Sequence, residues 1–249
     1  MKLSKQKLKN KLRTSNVFGA AKILAQRAFK VSPHKAKDEL IKLFPHSAKI
    51  VVFDVGAHDG SSSLHYSQWW PKAKFELFEP LEFLRKKASS SFALENRTNQ
   101  IRIHECIASN ENGHAKFFIS EYNDRDGIGG SSSLLEPHLH LKEFPHVKFD
   151  KSKPMKTCRL DSLIEEGLIQ VPHFIHLDVQ GAELMVLQGL GIYIDQVQAI
   201  WMEVERKELY KGQPLIDEVS KFMLKAGFQL KVDTVEEVYG DQLWTQRDY

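Results

Sequence analysis

The segment Ile50-Val51-Val52-Phe53-Asp54-Val55-Gly56-Ala57-His58-Asp59-Gly60, followed by an apolar run that ends in Phe78-Glu79-Pro80, constrains this chain more than any other stretch. A strand that enters a glycine-containing turn, then a helix, then a strand ending in an acid is how α/β folds build a nucleoside-binding site. The turn holds the polar tail of the ligand, and Glu79, nineteen residues beyond Gly60, can accept from two neighbouring ribose hydroxyls. Small residues at Gly56, Ala57 and Gly60 admit close approach of a ligand to the backbone, and a bulky side chain at Gly56 would stand between the two. The bland alternative is an ordinary strand-turn-helix with a surface glutamate.

From residue 50 onward, short strand-like runs alternate with helix-length stretches, the pattern of a parallel sheet with crossover helices. The pattern predicts strands over Ile50–Asp54, Lys74–Phe78, Ile101–Ile107, Phe174–Leu177 and Val197–Val204, with Phe228–Val232 and Gln242–Thr245 as an antiparallel pair at the sheet edge. Helices are expected from the serines at 61–63 to before Pro71, and over Leu81–Leu94, Ala182–Leu190 and Pro214–Ala226, with a short one from Ser162 to Glu166 capped by Asp161. His114–Ser120 reads as an extra strand and Lys156–Leu160 as extended. From Glu121 to Phe149 no period is visible, but Gly127, Gly129 and Gly130 lead into three serines at 131–133. A long irregular stretch inside a compact domain is more often a binding loop or lid than filler.

At 249 residues and 42% hydrophobic, the chain is long enough for one large α/β domain with an extension. The net charge of +3 hides an asymmetry. Residues 1–49 carry thirteen Lys or Arg against Asp38 and Glu39, net +11, which leaves −8 for the rest. The division expected is a basic helical extension over 1–48 and the α/β domain over 49–249. Val17, Ala20, Ala21, Leu24, Ala28 and Val31 recur at helical spacing in the extension, so it can pack on the main domain or meet an anionic surface. No run approaches eighteen apolar residues, so no membrane-spanning helix is expected. The lysine-bearing N-terminus lacks the pattern of a secretory signal, which points to the cytoplasm. There, Cys106 and Cys158 read as buried small hydrophobes rather than a disulfide.

Asp54-Val55-Gly56-Ala57-His58-Asp59-Gly60, Gly130-Ser131-Ser132-Ser133-Leu134, Arg159-Leu160-Asp161 and above all Ile175-His176-Leu177-Asp178-Val179-Gln180-Gly181-Ala182-Glu183 resemble the FkbM family of S-adenosylmethionine-dependent methyltransferases. The resemblance runs in order over about residues 50–246. It implies a class I methyltransferase fold: a Rossmann-like, seven-stranded, mostly parallel sheet with helices on both faces and the last pair of strands antiparallel. It further implies that Asp54 and the backbone around Gly56 hold the methionine end of the cofactor, Glu79 the ribose, and Cys106, Ile107 and Ala108 the adenine. Two residues depart from the family's habit. His58 stands where asparagine is common, and His176 where lysine is frequent. The Asn-Pro-Pro-Tyr signature of amino-group DNA methyltransferases is missing.

Methyl transfer from an activated sulfonium needs alignment, exclusion of water and a group to accept the hydroxyl proton. Asp178, just past the end of its strand, is the candidate general base, or a cap for the next helix. Glu203 is either a second such residue or a structural anion, and Glu183 reads as a complement to its helix dipole. Together these three acids can be imagined around a divalent ion, although no compact ligand motif fixes them, and no metal is assigned. His138, His140 and His146 read as surface residues. Ser131 and Ser132 are candidates for binding a sugar-like acceptor. The reading is an O-methyltransferase acting on a hydroxyl of a small molecule or glycan. The alternatives are a nucleic-acid methyltransferase using the basic arm and a non-catalytic nucleotide-binding module.

Overall fold

In the computed structural model the described residues are 36–122 and 129–247. In chain order the elements are α1 (Lys37–Leu43), β1 (Val51–Val55), α2 (Ser61–Trp69), β2 (Lys74–Phe78), α3 (Glu82–Leu94), β3 (Ile101–His104), β4 (Ile107–Ala108), β5 (Gly113–Tyr122), α4 (His140–Glu143), β6 (Val147–Cys158), α5 (Leu160–Glu165), β7 (Phe174–Leu177), α6 (Glu183–Gly189), β8 (Ala199–Glu205), α7 (Ile216–Lys225), β9 (Phe228–Asp233) and β10 (Tyr239–Gln246). The amphipathic pattern over Val17–Val31 and Gly127 fall outside the described residues.

Strand β1 is buried along its whole length, as a parallel strand covered on both faces must be. Its side chains alternate between two cores. Val51, Phe53 and Val55 join Leu160, Val186, Leu187, Val219 and Met223, which come from α5, α6 and α7. Val52 joins Leu40, Tyr66, Trp69, Phe92 and Trp201 on the other face, under α1, α2 and α3. The sheet order is β3-β2-β1-β7-β8-β10-β9. Strands β3, β2, β1, β7 and β8 pair in parallel, and β10 runs antiparallel to both β8 and β9. This is the Rossmann-like class I arrangement expected from the sequence. Strand order reverses between β1 and β7, and the crevice outside the carboxyl ends of those two strands is where open α/β sheets bind ligands.

A second sheet, β4-β6-β5, stands on the first. Its long strand β6 pairs antiparallel with β5 from Gly113↔Thr157 to Tyr122↔Val147. Most of β6 was not legible in sequence because the strand is largely exposed, carries five lysine or aspartate residues and contains Pro154, so no apolar alternation marks it. The expected strand over Ile101–Ile107 is divided. Residues 101–104 extend the main sheet, while Ile107–Ala108 leaves it to pair with Thr157 and Cys158.

Two sequence readings are corrected here. Residues 36–48, placed with the extension, are built into the domain. Ala36, Leu40 and Phe44 are buried, the Trp70 indole donates to the Phe44 carbonyl at 2.8 Å, and the two rings meet edge to face. Cys106 and Cys158 are joined by a disulfide, with Cα atoms 6.1 Å apart across 52 residues of sequence. The pairing of β4 with β6 brings them together, a juxtaposition that their spacing in sequence hides. Among the described residues, no helix is long and apolar enough to cross a membrane.

Closing a loop of that length is worth roughly 4 kcal/mol through the unfolded state. Dithiothreitol, or the Cys106→Ala/Cys158→Ala pair, is therefore expected to lower the urea midpoint substantially. Coincident unfolding curves with and without reductant would show that the bond contributes nothing.

Candidate active site

The turn after β1 is shaped by packing. Gly56 has φ +80, and a Cβ built on it would lie 1.9 Å from the Asp178 carbonyl oxygen. Gly60, at φ +75, would meet the Cβ of Ala88 at 2.8 Å. The first glycine lets β1 and β7 end side by side, and the second lets α2 start against α3. Packing within the protein therefore requires glycine at both positions, against the Asp178 backbone at Gly56 and against Ala88 at Gly60. The Gly56 and Ala57 amides both donate to the Phe78 carbonyl at 3.1 Å, which fastens the turn to the end of β2.

Asp54 is enclosed behind this turn, 1% exposed. It lies on the α2 face, where Ser63 Oγ donates to Oδ2 at 2.5 Å and His176 Nδ1 lies 3.2 Å from Oδ1. Asp54 and His176 are register partners in the β1–β7 ladder. Burial opposes charge on His176, but Asp54, with Asp178 and Asp241 beyond it, outweighs burial and raises the imidazole pKa. The pair joins two central strands to the first turn of α2.

His58 has φ +51, in the left-handed region where asparagine and histidine are enriched, which accounts for histidine where the family commonly has asparagine. Its amide donates to Glu79 Oε2 at 2.9 Å, and its half-exposed imidazole stands 3.7 Å from Asp59. Burial works against its charge, yet Asp59 and Glu79 raise its pKa overall.

Glu79, 5% exposed, accepts from the His58 amide on one oxygen and from the Leu81 amide at 2.8 Å on the other. Burial pushes its carboxyl up to about 7, only partly offset by those two amides and by the charges of His58 and Arg85. A carboxylate has about four lone-pair sites. The two amides therefore leave part of its acceptor capacity unused. Beside it, Leu81, Leu84, Ile107 and Phe117 form an apolar cluster. Of the three expected adenine contacts, Ile107 belongs to this wall. Cys106 and Ala108 instead belong to the main core.

At the end of β7, Gln180 is the hub. Its Nε2 donates to Asp178 Oδ1 at 2.7 Å and to Glu203 Oε2 at 2.9 Å, so the two acids singled out in the sequence meet on one amide. Gln180 Oε1 lies 3.0 Å from the Tyr210 hydroxyl, which also reaches the Ser131 carbonyl at 2.8 Å. Glu183, by contrast, turns inward. Its Oε1 accepts from the Val179 and Gly181 amides at 3.1 and 3.3 Å, and burial followed by the Asp178 charge raises its pKa. It therefore ties down the loop before α6. Among the described residues, no group of three or more His, Cys, Asp or Glu is placed to hold a metal ion.

Within the stretch that looked irregular in sequence, residues 129–146 form a strap tied near the carboxyl ends of β2, β7 and β8. Gly129 abuts Leu81 and Leu84, Ser133 bridges Phe118 of β5, and the residues around His138 and His140 bond the Leu209 carbonyl. Ser132 Oγ accepts from the Ser120 amide at 3.0 Å, while Ser131 Oγ is buried with no hydrogen-bond partner among the described residues. Ser133, not singled out in the sequence, makes the closest tie by donating to the Gln180 carbonyl at 2.7 Å. His140, read as a surface residue, is instead buried among Phe144, Phe149 and Tyr210. Gln180 lay inside the most distinctive sequence block and was passed over because it does not titrate. Tyr210 carried no local signal at all.

A family model described as the methyltransferase FkbM domain matches residues 54–230. The chain is 31% identical over 188 residues to the 2-O-methyltransferase NoeI of Sinorhizobium fredii (strain NBRC 101917 / NGR234), covering 74% of this chain and 76% of that protein. It is 25% identical over 205 residues to the AMB antimetabolite synthetase AmbE of Pseudomonas aeruginosa, covering 73% of this chain but 10% of that protein. Among solved structures, an rRNA methylase from Streptococcus thermophilus aligns with 86% of this chain and 95% of its own at 10% identity and a TM-score of 0.47, too loose a likeness to add to the strand order.

The contact at Gly56 makes a sharp prediction. Gly56→Ala is expected to cost about 3 kcal/mol or more, because backbone rather than a flexible side chain must move. Thermal unfolding within 1 °C of the parent would show that the β1–β7 contact is not as close as described.

Proposed function

The chain belongs to the FkbM methyltransferase family, and from that premise we propose that it transfers the methyl group of S-adenosylmethionine to a hydroxyl oxygen of a small molecule or glycan. The observation that carries this reading is the convergence of Asp178 and Glu203 on Gln180 at the carboxyl ends of neighbouring central strands, in a sheet that carries the buried Glu79 at the end of β2. S-adenosylmethionine, when bound, supplies a methyl group already activated on a sulfonium. The residues present suit it. Glu79 has unused acceptor capacity in a buried setting, Ile107 with Leu81 and Leu84 offers an apolar wall for the adenine, and the turn Gly56-Ala57-His58-Asp59-Gly60 borders the methionine end, with Asp54 anchoring that turn from behind. Asp178, assisted by Glu203, accepts the proton of the acceptor hydroxyl and holds its oxygen in line. Ser131 and Ser132, in the strap, border the acceptor. The strap excludes water from the crevice.

NoeI is named for 2-O-methylation, and transfer of that chemistry to this chain favours an acceptor with a hydroxyl nucleophile. The basic N-terminal residues, with α1 counted in the domain, are read as an extension that approaches anionic surfaces. The reading keeps the protein in the cytoplasm, with the Cys106–Cys158 bond as a feature uncommon there.

Methyl-labelled S-adenosylmethionine offered with a panel of glycosides and small alcohols tests the reaction. Asp178→Asn is expected to lower kcat by about 10²–10⁴ with cofactor affinity unchanged. Parent rates in that variant would remove Asp178 as base.

The cofactor site has a pH signature. Glu79 titrates at about 7 in the folded protein, and ribose hydroxyls donate to its carboxylate, so the bound state favours the deprotonated form and binding releases a proton. Affinity for S-adenosylmethionine is expected to rise as pH increases through about 7 and to level off above it. Glu79→Gln should lose this dependence and bind about 1–3 kcal/mol more weakly. Calorimetry from pH 6 to 8.5 checks both, and identical pH profiles for parent and variant would exclude the ribose assignment.

A further inference from the structure

We propose that Gln180 is the positioning residue of this site, whose side-chain amide joins Asp178 and Glu203 into a single acid pair, an inference that rests on reading those carboxylates as the acceptor's base. A primary amide nitrogen carries two protons directed about 120° apart, so each carboxylate receives one, and the two receiving oxygens are held roughly 5 Å from each other. Asp178 follows β7 and Glu203 lies in β8, and β7–β8 pairing alone does not set the direction of either side chain. The Gln180 amide does.

The glutamine is itself held from three sides. Its backbone adopts φ +58, a conformation glutamine rarely takes. Its carbonyl accepts from Ser133 Oγ, and its side-chain oxygen meets the Tyr210 hydroxyl. Both amide protons are spent on the carboxylates, so Gln180 has no donor left for an acceptor and acts through Asp178 and Glu203 rather than by touching the reacting atoms.

The neutral amide matters for the chemistry. A lysine or arginine between the acids would neutralise the pair and weaken it as a proton acceptor. The amide orients two negative charges without cancelling them. The groups around the pair are Glu183 at the start of α6, Asp241 opposite Glu203 in β10, Glu205 two residues further along β8, Tyr210 behind the amide and, with the opposite sign, His176, whose charge Asp178 favours.

The first test needs no acceptor. In the full chain labelled with ¹⁵N-glutamine, the two side-chain NH₂ proton signals of Gln180 are expected to lie downfield of those of solvent-exposed glutamines and to move in Asp178→Asn and in Glu203→Gln. Signals at the solvent-exposed positions, or that ignore both substitutions, overturn the proposal even if every Gln180 variant fails to fold. The second test is kinetic, with whichever glycoside the labelled-methyl panel identifies. Gln180→Met, which keeps chain length but removes both donors, is expected to lower kcat by about 10–100-fold and move the acid limb of its pH profile, with KM for the acceptor changed less than about threefold. Gln180→Glu should shift that acid limb upward. Parent kcat and pH profile in Gln180→Met, with Asp178→Asn and Glu203→Gln both impaired, would sink the role of Gln180 alone. Full activity in those two carboxylate variants would instead sink the base reading beneath it.

Discussion

The site depends on the contact between the backbone at Gly56 and the carbonyl of Asp178. Strands β1 and β7 end together because residue 56 has no Cβ, and one methyl group there would collide with a neighbouring main chain that cannot rotate out of the way. Just inside the same seam, Asp54 and His176 face each other as ladder partners, and Ser63 ties the pair to α2. A buried carboxylate without such partners would be costly, whereas here charge and hydrogen bonding hold strand, strand and helix in one register. The two loops that carry the candidate chemistry, 56–60 and 178–182, inherit their positions from this seam.

Around the seam the site separates into two chemistries. On the β2 side, Glu79 is a buried acid with spare acceptor capacity next to an apolar wall, which suits a nucleoside. On the β7–β8 side, acids converge on a neutral amide, which suits removal of a proton from a hydroxyl. The strap from Gly129 to His140 crosses both. Gly129 rests on Leu81 and Leu84 at one end, and Ser133 reaches the Gln180 carbonyl further along. Its serines are thus parts of a tied structure, and only the Ser131 hydroxyl stays without a partner among the described residues.

Much of this was legible in residues 50–107 and 174–246. Continuous apolar runs in β1, β7 and β8 announce strands buried on both faces, and glycines placed after them announce turns. The second sheet was not legible, because exposed strands such as β6 carry lysines on both faces and leave no period to read. The disulfide was missed for a related reason: Cys106 and Cys158 are neighbours only through the β4–β6 pairing. Likewise, α1 looked like part of a basic arm because it follows directly on the lysine-rich residues 1–35, although its own two lysines are balanced by Asp38 and Glu39. Its buried stripe of Ala36, Leu40 and Phe44 becomes meaningful only against Trp70 and the sheet.

By itself the sequence determined the strand order's ingredients, the glycine turn, the acid at the end of β2 and the pair of acids past β7 and in β8. Those are local properties, set by backbone sterics, hydrophobic periodicity and the chemistry of single side chains. Tertiary structure decided which of them meet. It turned Asp54 inward to His176, spent Glu183 on backbone amides, and brought Gln180, Tyr210 and Ser133 to the two remaining carboxylates. Hydrogen bonds between residues 23 to 79 positions apart exist only once strands and strap have packed, and no local pattern encodes them.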